Sequence, residues 1–198
     1  MGNRALIKFD GQDAGIYLHW NGGRDSVEAF LEYCKLRNFR CDDYGVARFC
    51  QVVGNFFGGS LSIGVATNIK DEDAEWMDNG IYVVKNWEIV GRIPEDISEQ
   101  NEYDRMDLLI DIDGCQPEKD RLGTEFLTAP WIETKELRVG DKVYIRGFED
   151  EKPSVEKIVG IGTYDSEQTP RPYINKWGND PARNINNYLM DDKYKLYQ

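Results

Sequence analysis

The sequence predicts an α+β fold, with an N-terminal antiparallel sheet that carries two helices, an acidic helical segment, and a C-terminal unit like a small β-barrel. Apolar residues make up 40% of the 198 residues and aromatic residues 12%, which is enough for a packed core. Short β-rich runs surround two amphipathic helical patterns. Charge is also unevenly distributed. We therefore divide the chain into residues 1–93, 94–136 and 137–198.

The N-terminal region predicts the element order ββααβββ. Its first two runs, Arg4–Phe9 and Gly15–Trp20, are rich in β-forming residues and are separated by turn residues, which favours a hairpin. Asp25 and Glu28 then have the spacing of a capping box, which marks the start of a helix. The apolar stripe of that helix predicts an end near Asn38.

A second helix and three strands complete this region. The helical pattern begins after Asp42-Asp43 and stops at Gly58-Gly59. Three strand-like runs follow, at residues 61–66, 81–84 and 87–92. The last two runs are separated by Lys85-Asn86, a spacing that predicts a second hairpin. Together these elements favour a sheet with both helices on one face.

Residues 94–136 hold most of the excess negative charge. The formal net charge of the chain is −12, and this segment contributes −9 because it has 13 acidic and 4 basic side chains. Asp96 and Glu99 form a second capping-box pattern, which predicts a helix over residues 97–112. A shorter helix is predicted over residues 117–126.

The remainder of the chain has β character. Val139–Arg146 predicts a turn followed by a strand, and Val155–Tyr164 predicts another strand that contains glycines. This pattern favours a small barrel or a curled sheet. The tyrosine-rich tail, residues 184–198, is predicted to dock onto the body of the protein.

The acidic segment alternates acids with large apolar residues, which indicates a folded surface. Such a surface either only improves solubility or binds a basic protein groove in place of nucleic acid. Direct binding along a nucleic-acid duplex is not expected, because that binding requires basic side chains to neutralise phosphates. The residues predicted to bind a protein partner are Glu95, Asp96, Glu99, Glu102, Asp104, Asp107, Asp111 and Asp113.

A second candidate site lies where a strand ends, a glycine turn follows and a helix begins. Backbone N–H groups at such a place can hold an anion, Arg24 could add a charge-assisted contact, and His19 could act as an acid or base. The structural alternative is an ordinary turn in which Asp25 already supplies the negative charge. A nucleotide signal that is sequestered here would contact His19, Trp20, Asn21, Gly22, Gly23 and Arg24.

Catalytic signatures are weak. The chain has one histidine and no G-x-S-x-G motif, so nucleophilic catalysis lacks its usual groups. Gly54–Ser60 lacks the Gly-Lys-Ser/Thr ending of a phosphate-binding loop and favours the end of a helix. The cluster of Asp107, Asp111 and Asp113 leaves a metal-dependent nuclease as a third hypothesis. We expect no cofactor and no resident metal, and the sequence favours a protein that is not an enzyme.

The cysteines and the hydropathy favour a cytoplasmic protein. None of the cysteines forms a C-x-x-C pair, so free thiols are expected. No apolar run approaches the roughly 18 residues of a membrane span, and no membrane partner is expected.

Several short runs of the N-terminal region are distinctive: Asn3-Arg4-Ala5, Gly15–Gly23 (GIYLHWNGG), Asn55–Gly59 and Asn79–Tyr82. They resemble uncharacterised small proteins of phages and other mobile elements of gut bacteria, over roughly residues 1–92. The resemblance implies no catalytic residues. It implies a setting in which small acidic proteins often resemble inhibitors of host defence such as anti-CRISPR proteins. The leading hypothesis is an acidic anti-defence protein that binds the basic nucleic-acid groove of a host nuclease or effector complex.

Overall fold

The computed structural model confirms the α+β class and divides the chain into two compact units. The first unit contains the described residues up to Arg121, and the second contains those from Leu122 onward. The acidic segment is therefore shared between the two units, where the sequence suggests a separate part. The structure describes residues 2–12, 14–59, 61–98, 101–146, 152–163, 170–174, 189 and 191–197.

The first unit contains a five-stranded sheet in the order β3-β2-β1-β4-β5. The central strand β1 pairs antiparallel with β2 but parallel with β4. The sheet is therefore mixed, and the prediction of an antiparallel sheet is wrong. The segment after β3, which contains a 3-10 helix at Asp71–Trp76, carries the chain back to the end of the sheet where β1 began, and β4 starts there. The strands are β1 (Ala5–Phe9), β2 (Ala14–Leu18), β3 (Ile63–Thr67), β4 (Ile81–Lys85) and β5 (Glu88–Ile93).

Both predicted hairpins are present in this sheet. β1 pairs with β2, and β4 pairs with β5. The second hairpin turns through Asn86 and Trp87, one residue later than the predicted Lys85-Asn86, and the φ angles of the two turn residues are 52° and 62°. Two positive φ angles match the turn geometry that two-residue hairpins prefer. Trp87 tolerates this backbone because its ring is buried and its indole N–H donates to the Phe39 carbonyl at 2.9 Å.

Two helices, α1 (Arg24–Leu36) and α2 (Asp43–Phe56), follow the first hairpin. The start of α2 is as predicted, because the Asp42 carboxylate accepts hydrogen bonds from the first backbone N–H groups of the helix. The predicted capping box of α1 is wrong. Gly23 is the N-cap, and the Asp25 carboxylate has other partners.

The third helix, α3 (Arg105–Cys115), starts eight residues later than the sequence predicts. Its N-cap is Asp104, whose carboxylate accepts from the N–H groups of Met106 at 2.9 Å and Asp107 at 3.1 Å. Asp96 lies in a turn instead, and Glu99 lies outside the described residues. The later start places the apolar side of α3 in the core, at Leu108, Leu109 and Ile112.

A buried polar contact joins α1 to α3. The Tyr33 hydroxyl donates to Asp113 Oδ1 at 2.7 Å, and the two residues are only 1% and 4% exposed. Burial, reinforced by this hydrogen bond, raises the pKa of Tyr33 well above its usual value. Asp113 was predicted to face a protein partner. The structure corrects that prediction, because this carboxyl group lies in the core.

The second unit is an open antiparallel sheet in the order β6-β10-β7-β8-β9. The predicted barrel is wrong, because β6 and β9 remain edges among the described residues. Strand β10 inserts between β6 and β7, so the described part of the tail docks as expected. Residues 184–188, 190 and 198 lie outside the described part. The strands are β6 (Trp131–Glu133), β7 (Lys142–Ile145), β8 (Ser154–Gly162), β9 (Arg171–Ile174) and β10 (Lys193–Leu196).

The short helix predicted over residues 117–126 is divided in the structure. A 3-10 turn covers Glu118–Asp120, and a five-residue helix, α4 (Thr124–Thr128), follows it. Gly123 separates the two with a φ of 90°, a backbone conformation that ends helical hydrogen bonding and suits glycine.

Replacing Tyr33 with Phe tests the contact between α1 and α3. The variant keeps the ring but removes the hydroxyl that donates to Asp113, so the free energy of unfolding should fall by about 1.5–3 kcal/mol. Denaturant unfolding measures the change. The matched control is Tyr44→Phe, at a site that is 65% exposed, and it should change stability by less than about 0.5 kcal/mol. Equal losses in both variants would show that the buried hydrogen bond contributes nothing.

An ion pair near the N-terminus gives an acid-dependent contribution to stability. Arg4 Nε donates to Asp78 Oδ2 at 2.8 Å and Nη2 donates to Oδ1 at 3.1 Å. These hydrogen bonds lower the pKa of Asp78 to about 2. Because the folded pKa lies below the unfolded value of about 3.9, the contribution is fully present above that value. It is lost as the pH falls toward 2.

The thermal stability of Asp78→Asn should therefore depend on pH differently from that of the wild type. The variant should have a lower Tm at pH 7, and the deficit should shrink as the pH falls from about 5 to 2. Asp71→Asn, which changes an exposed acid, is the control and should show no such convergence. A deficit for Asp78→Asn that is independent of pH contradicts the expected role of the ion pair.

Candidate functional site

The outer side of α3 forms an acidic surface. Residues three and four apart on a helix share one side, which aligns Asp104, Asp107 and Asp111. All three are exposed, as is Glu102 just before the helix. We call these four residues the acidic face. The structure thus brings together half of the residues that the sequence predicted for partner binding.

Two basic side chains, Arg105 on α3 and Arg24 on α1, are directed toward acids of α1. Arg105 Nε lies 2.6 Å from Glu32 Oε2, and its Nη1 lies 3.4 Å from Glu28 Oε2. Arg24 also pairs with Glu28, at 2.8 Å. In the part of the chain that the structure describes, no basic side chain forms an ion pair with a residue of the acidic face. The acidic face therefore presents uncompensated negative charge.

Asp25 holds the segment before α3 in position. Its Oδ2 atom accepts hydrogen bonds from the backbone N–H groups of Glu102 at 2.6 Å and Tyr103 at 2.8 Å, while Oδ1 accepts from Ser26 N–H. Glu102 lies 77 positions along the chain from Asp25. The spacing of Asp25 and Glu28 predicts a helix cap, and no nearby residue indicates that Asp25 instead binds Glu102 and Tyr103. Asp25 is therefore a positioning residue that the sequence analysis missed.

Two other described acids of the predicted partner-binding set, Glu95 and Asp96, lie outside the acidic face. Glu95 and Asp96 are exposed in the turn that follows β5. A hydrogen bond from Arg92 Nη1 to the Ile97 carbonyl, at 3.2 Å, fixes this turn against the sheet. The two acids add to the negative charge of the first unit without extending the row on α3.

Hydrogen bonds and close contacts with other parts of the first unit hold the glycine turn of the second candidate site in place. Gly22 N–H donates to the Asn3 carbonyl at 2.8 Å, and a Cβ at Gly22 would lie 2.6 Å from that oxygen. Glycine is therefore required by the close approach of two chain segments. His19 Nδ1 shares a hydrogen bond of 2.7 Å with the Tyr17 hydroxyl. With Arg24 paired to Glu28, nucleotide binding at His19–Arg24 stays a prediction without geometric support.

A groove of about 780 Å³ lies between α2, β3 and the end of α3. Residues 54–59, the described part of the segment that was interpreted from the sequence as a helix end, contribute part of its wall. α2 does end at Phe56 with Gly58 at a φ of 69°, as predicted. Burial raises the pKa of the Cys50 thiol, which disfavours the reactive thiolate. The walls include Cys50, Gly54, Asn55, Ile63, Val65 and Cys115.

The three aspartates on which the metal-dependent nuclease hypothesis depends are not brought together in the structure. Asp107 and Asp111 face solvent, whereas Asp113 bonds to Tyr33 in the core. Within the described ranges, no three His, Cys, Asp or Glu side chains are grouped so that they could hold a metal ion.

None of the described helices is both long enough and apolar enough to cross a membrane.

No protein-family model, curated protein or solved structure matches this chain. The similarity of residues 1–92 to proteins of mobile elements therefore stays a hypothesis.

Replacing Asp25 with Ala should loosen the segment before α3. The backbone N–H groups of Glu102 and Tyr103 lose their acceptor, so their hydrogen exchange should be about tenfold faster or more. Nuclear magnetic resonance can follow both amides individually. Asp111→Ala is the control, because it also removes an acid but no acceptor of these amides. Unchanged exchange at Glu102 and Tyr103 in Asp25→Ala would contradict the anchoring role.

Proposed function

We propose that the protein is a non-enzymatic inhibitor that binds the basic nucleic-acid groove of a nuclease through its acidic face. The nucleic-acid-guided nucleases of bacterial defence are the favoured class of target, because the N-terminal region resembles proteins of mobile elements. The observation that carries the proposal is the row of exposed acids on α3, for which the described residues provide no basic partner. This makes the protein, in function, a mimic of a nucleic-acid backbone.

The row of acids is held in a fixed arrangement. Successive acids on the helix are separated by three or four residues, or about 4.5–6 Å along its axis. Asp104 caps the helix with its own carboxylate, and Asp25 holds the chain just before it. Binding therefore does not have to order this surface first, which lowers its entropic cost.

Electrostatics favour a protein partner over nucleic acid itself. The net charge of −12 repels phosphates, whereas a groove lined by lysine and arginine attracts the acidic face over a distance. Charge complementarity of this kind raises the rate of association most strongly at low salt. An inhibitor of this class should therefore lose potency as the salt concentration rises.

Three charge reversals test the proposal. The variant Glu102→Lys, Asp107→Lys, Asp111→Lys alters exposed acids and leaves intact both the helix cap Asp104 and the positioning residue Asp25. Cleavage of labelled DNA is measured for a panel of purified guided nucleases with increasing inhibitor. For a nuclease that the wild type inhibits, the variant should be at least about 100-fold weaker, because close opposite charges become like charges.

The matched control reverses three exposed acids elsewhere in the first unit: Asp71→Lys, Glu72→Lys, Glu75→Lys. It changes the net charge by the same amount, so it distinguishes an effect of the acidic face from an effect of the net charge of the whole protein. The control should inhibit within about threefold of the wild type at physiological salt, where screening acts beyond about 8 Å. The proposal fails if no panel member is inhibited, or if both triple variants lose inhibition equally.

A further inference from the structure

One edge of the sheet in the first unit is open and uncharged. Strand β3 is an edge strand, because it pairs with β2 on one side and with no other strand among the described residues. Residues 49–69, which include β3, carry no charged side chain, although 30% of the chain is charged. β3 also contains no proline, and its pairing with β2 is regular. An edge strand without charges, prolines or bulges is a template for pairing with another strand.

The pairing register shows which backbone groups of β3 are open. His19 N–H donates to the Ser62 carbonyl at 2.9 Å, and the register of β2 with β3 places these two residues opposite each other. In an antiparallel pair, bonded pairs of residues alternate with pairs whose backbone groups point away from the partner strand. Counting along β3 from Ser62, every second residue therefore directs its N–H and C=O groups to the open edge. These residues are Ile63, Val65 and Thr67, and no described residue forms a backbone hydrogen bond with them there.

The side chains of β3 that face the helices are apolar and accessible. A Cβ at Gly54 of α2 would lie 3.4 Å from Ile63 Cδ1, so the Ile63 side chain points toward α2. Val65 comes two residues later in the strand, lies on the same face and is 71% exposed. Leu61, just before the strand, is fully exposed. Exposed apolar side chains beside open backbone groups mark a surface for binding another protein chain.

The groove of about 780 Å³ beside β3 provides room for the side chains of an added strand. It opens to solvent beside Val65, Gly58 and Gly59, which are exposed. None of the wall residues that the structure describes is charged. A partner that binds through its charge, such as a basic peptide, therefore finds no complementary group in this groove. A neutral strand with apolar side chains suits it.

The other edge of the same sheet, strand β5, is protected against pairing. It carries two charged residues, Arg92 and Glu88, and Glu88 forms an ion pair with Lys35 of α1. The pairing of β5 with β4 is also irregular, with a shift between Val83 and Val84. Charges and bulges on an edge strand oppose the addition of another strand. Of the two edges of this sheet, β3 is therefore the one suited to pairing.

We propose that β3 pairs antiparallel with β3 of a second copy of the chain, so that two sheets join across a two-fold axis. Such a contact places the same surface on both sides, which an uncharged strand allows and a charged strand opposes. With Gly64 at the axis, each Ile63 lies opposite Val65 of the second copy, and these pairs exchange hydrogen bonds between their open backbone groups. The backbones come closest at the axis itself, where glycine leaves space.

The dimer should be weak, because the pairing strand is short and each copy has a net charge of −12. We expect a Kd of about 10–100 μM. The acidic face takes no part in this contact, so the test of the dimer and the inhibition test succeed or fail separately.

Sedimentation velocity of the full chain at physiological salt, from about 1 μM to about 1 mM, measures the association. The wild type should change from monomer to dimer across this range. Val65→Lys should dimerise about 100-fold more weakly, because both copies lose apolar contact and two lysines come near each other across the axis. The control Val90→Lys adds the same charge to β5, at a residue that is 58% exposed, and its Kd should stay within about twofold of the wild type.

Hydrogen exchange of the wild type identifies the pairing surface without any variant. Val65 N–H is open in the monomer and bonded in the dimer, so its exchange should slow about fivefold or more between dilute and concentrated protein. Ala66 N–H bonds to β2 in both states and should exchange at the same rate throughout.

A wild type that stays monomeric across the whole concentration range overturns the proposal, since the open edge then does not bind a second copy. Exchange at Val65 that is independent of concentration also overturns it. So does equal dimerisation of Val65→Lys and Val90→Lys, provided that the Tm of each variant shows it to be folded. If Val65→Lys does not fold, the exchange of the wild type decides.

Discussion

The attachment of α3 to α1 and α2 determines how the first unit presents its charges. Three contacts along α3 fix its position and its rotation. Asp25 holds the chain before the helix, Tyr33 binds Asp113 in the middle, and Gln116 donates to the carbonyls of Val52 and Ile112 at the end. A rotated α3 would lose the buried hydrogen bonds and expose its apolar side, so the acids on its other side have to face solvent.

The sequence predicted the elements whose signals are local. The Asp42 carboxylate caps α2 by accepting hydrogen bonds from backbone N–H groups two and three residues later in the chain. The turn between β4 and β5 likewise forms from residues that are adjacent in sequence, Asn86 and Trp87. Spacing along the chain is enough in such cases, because the interacting groups are neighbours in sequence. The α+β class and the end of α2 just before Gly58 could be predicted for the same reason.

The features that sequence reasoning missed depend on distant partners. Asp25 has the spacing of a cap, yet its carboxylate binds backbone groups 77 and 78 positions away. Asp113 belongs to an acidic run, yet it bonds to Tyr33 across 80 positions. The parallel pairing of β1 with β4 likewise joins strands that are separated by two helices. Capping and burial compete for the same carboxylates, and only packing decides between them.

The anchoring of α3 also bears on how the acidic face would bind a partner. Asp104, Asp107 and Asp111 lie along one helix, which is held before its start by Asp25, near its C-terminal end by Tyr33 and just after its end by Gln116. Under the proposed function, a large basic partner would be attracted to this face over several ångströms of solvent. Because the three contacts already fix the rotation of α3, binding would not have to rearrange the helix, and this lowers the entropic cost of forming the complex.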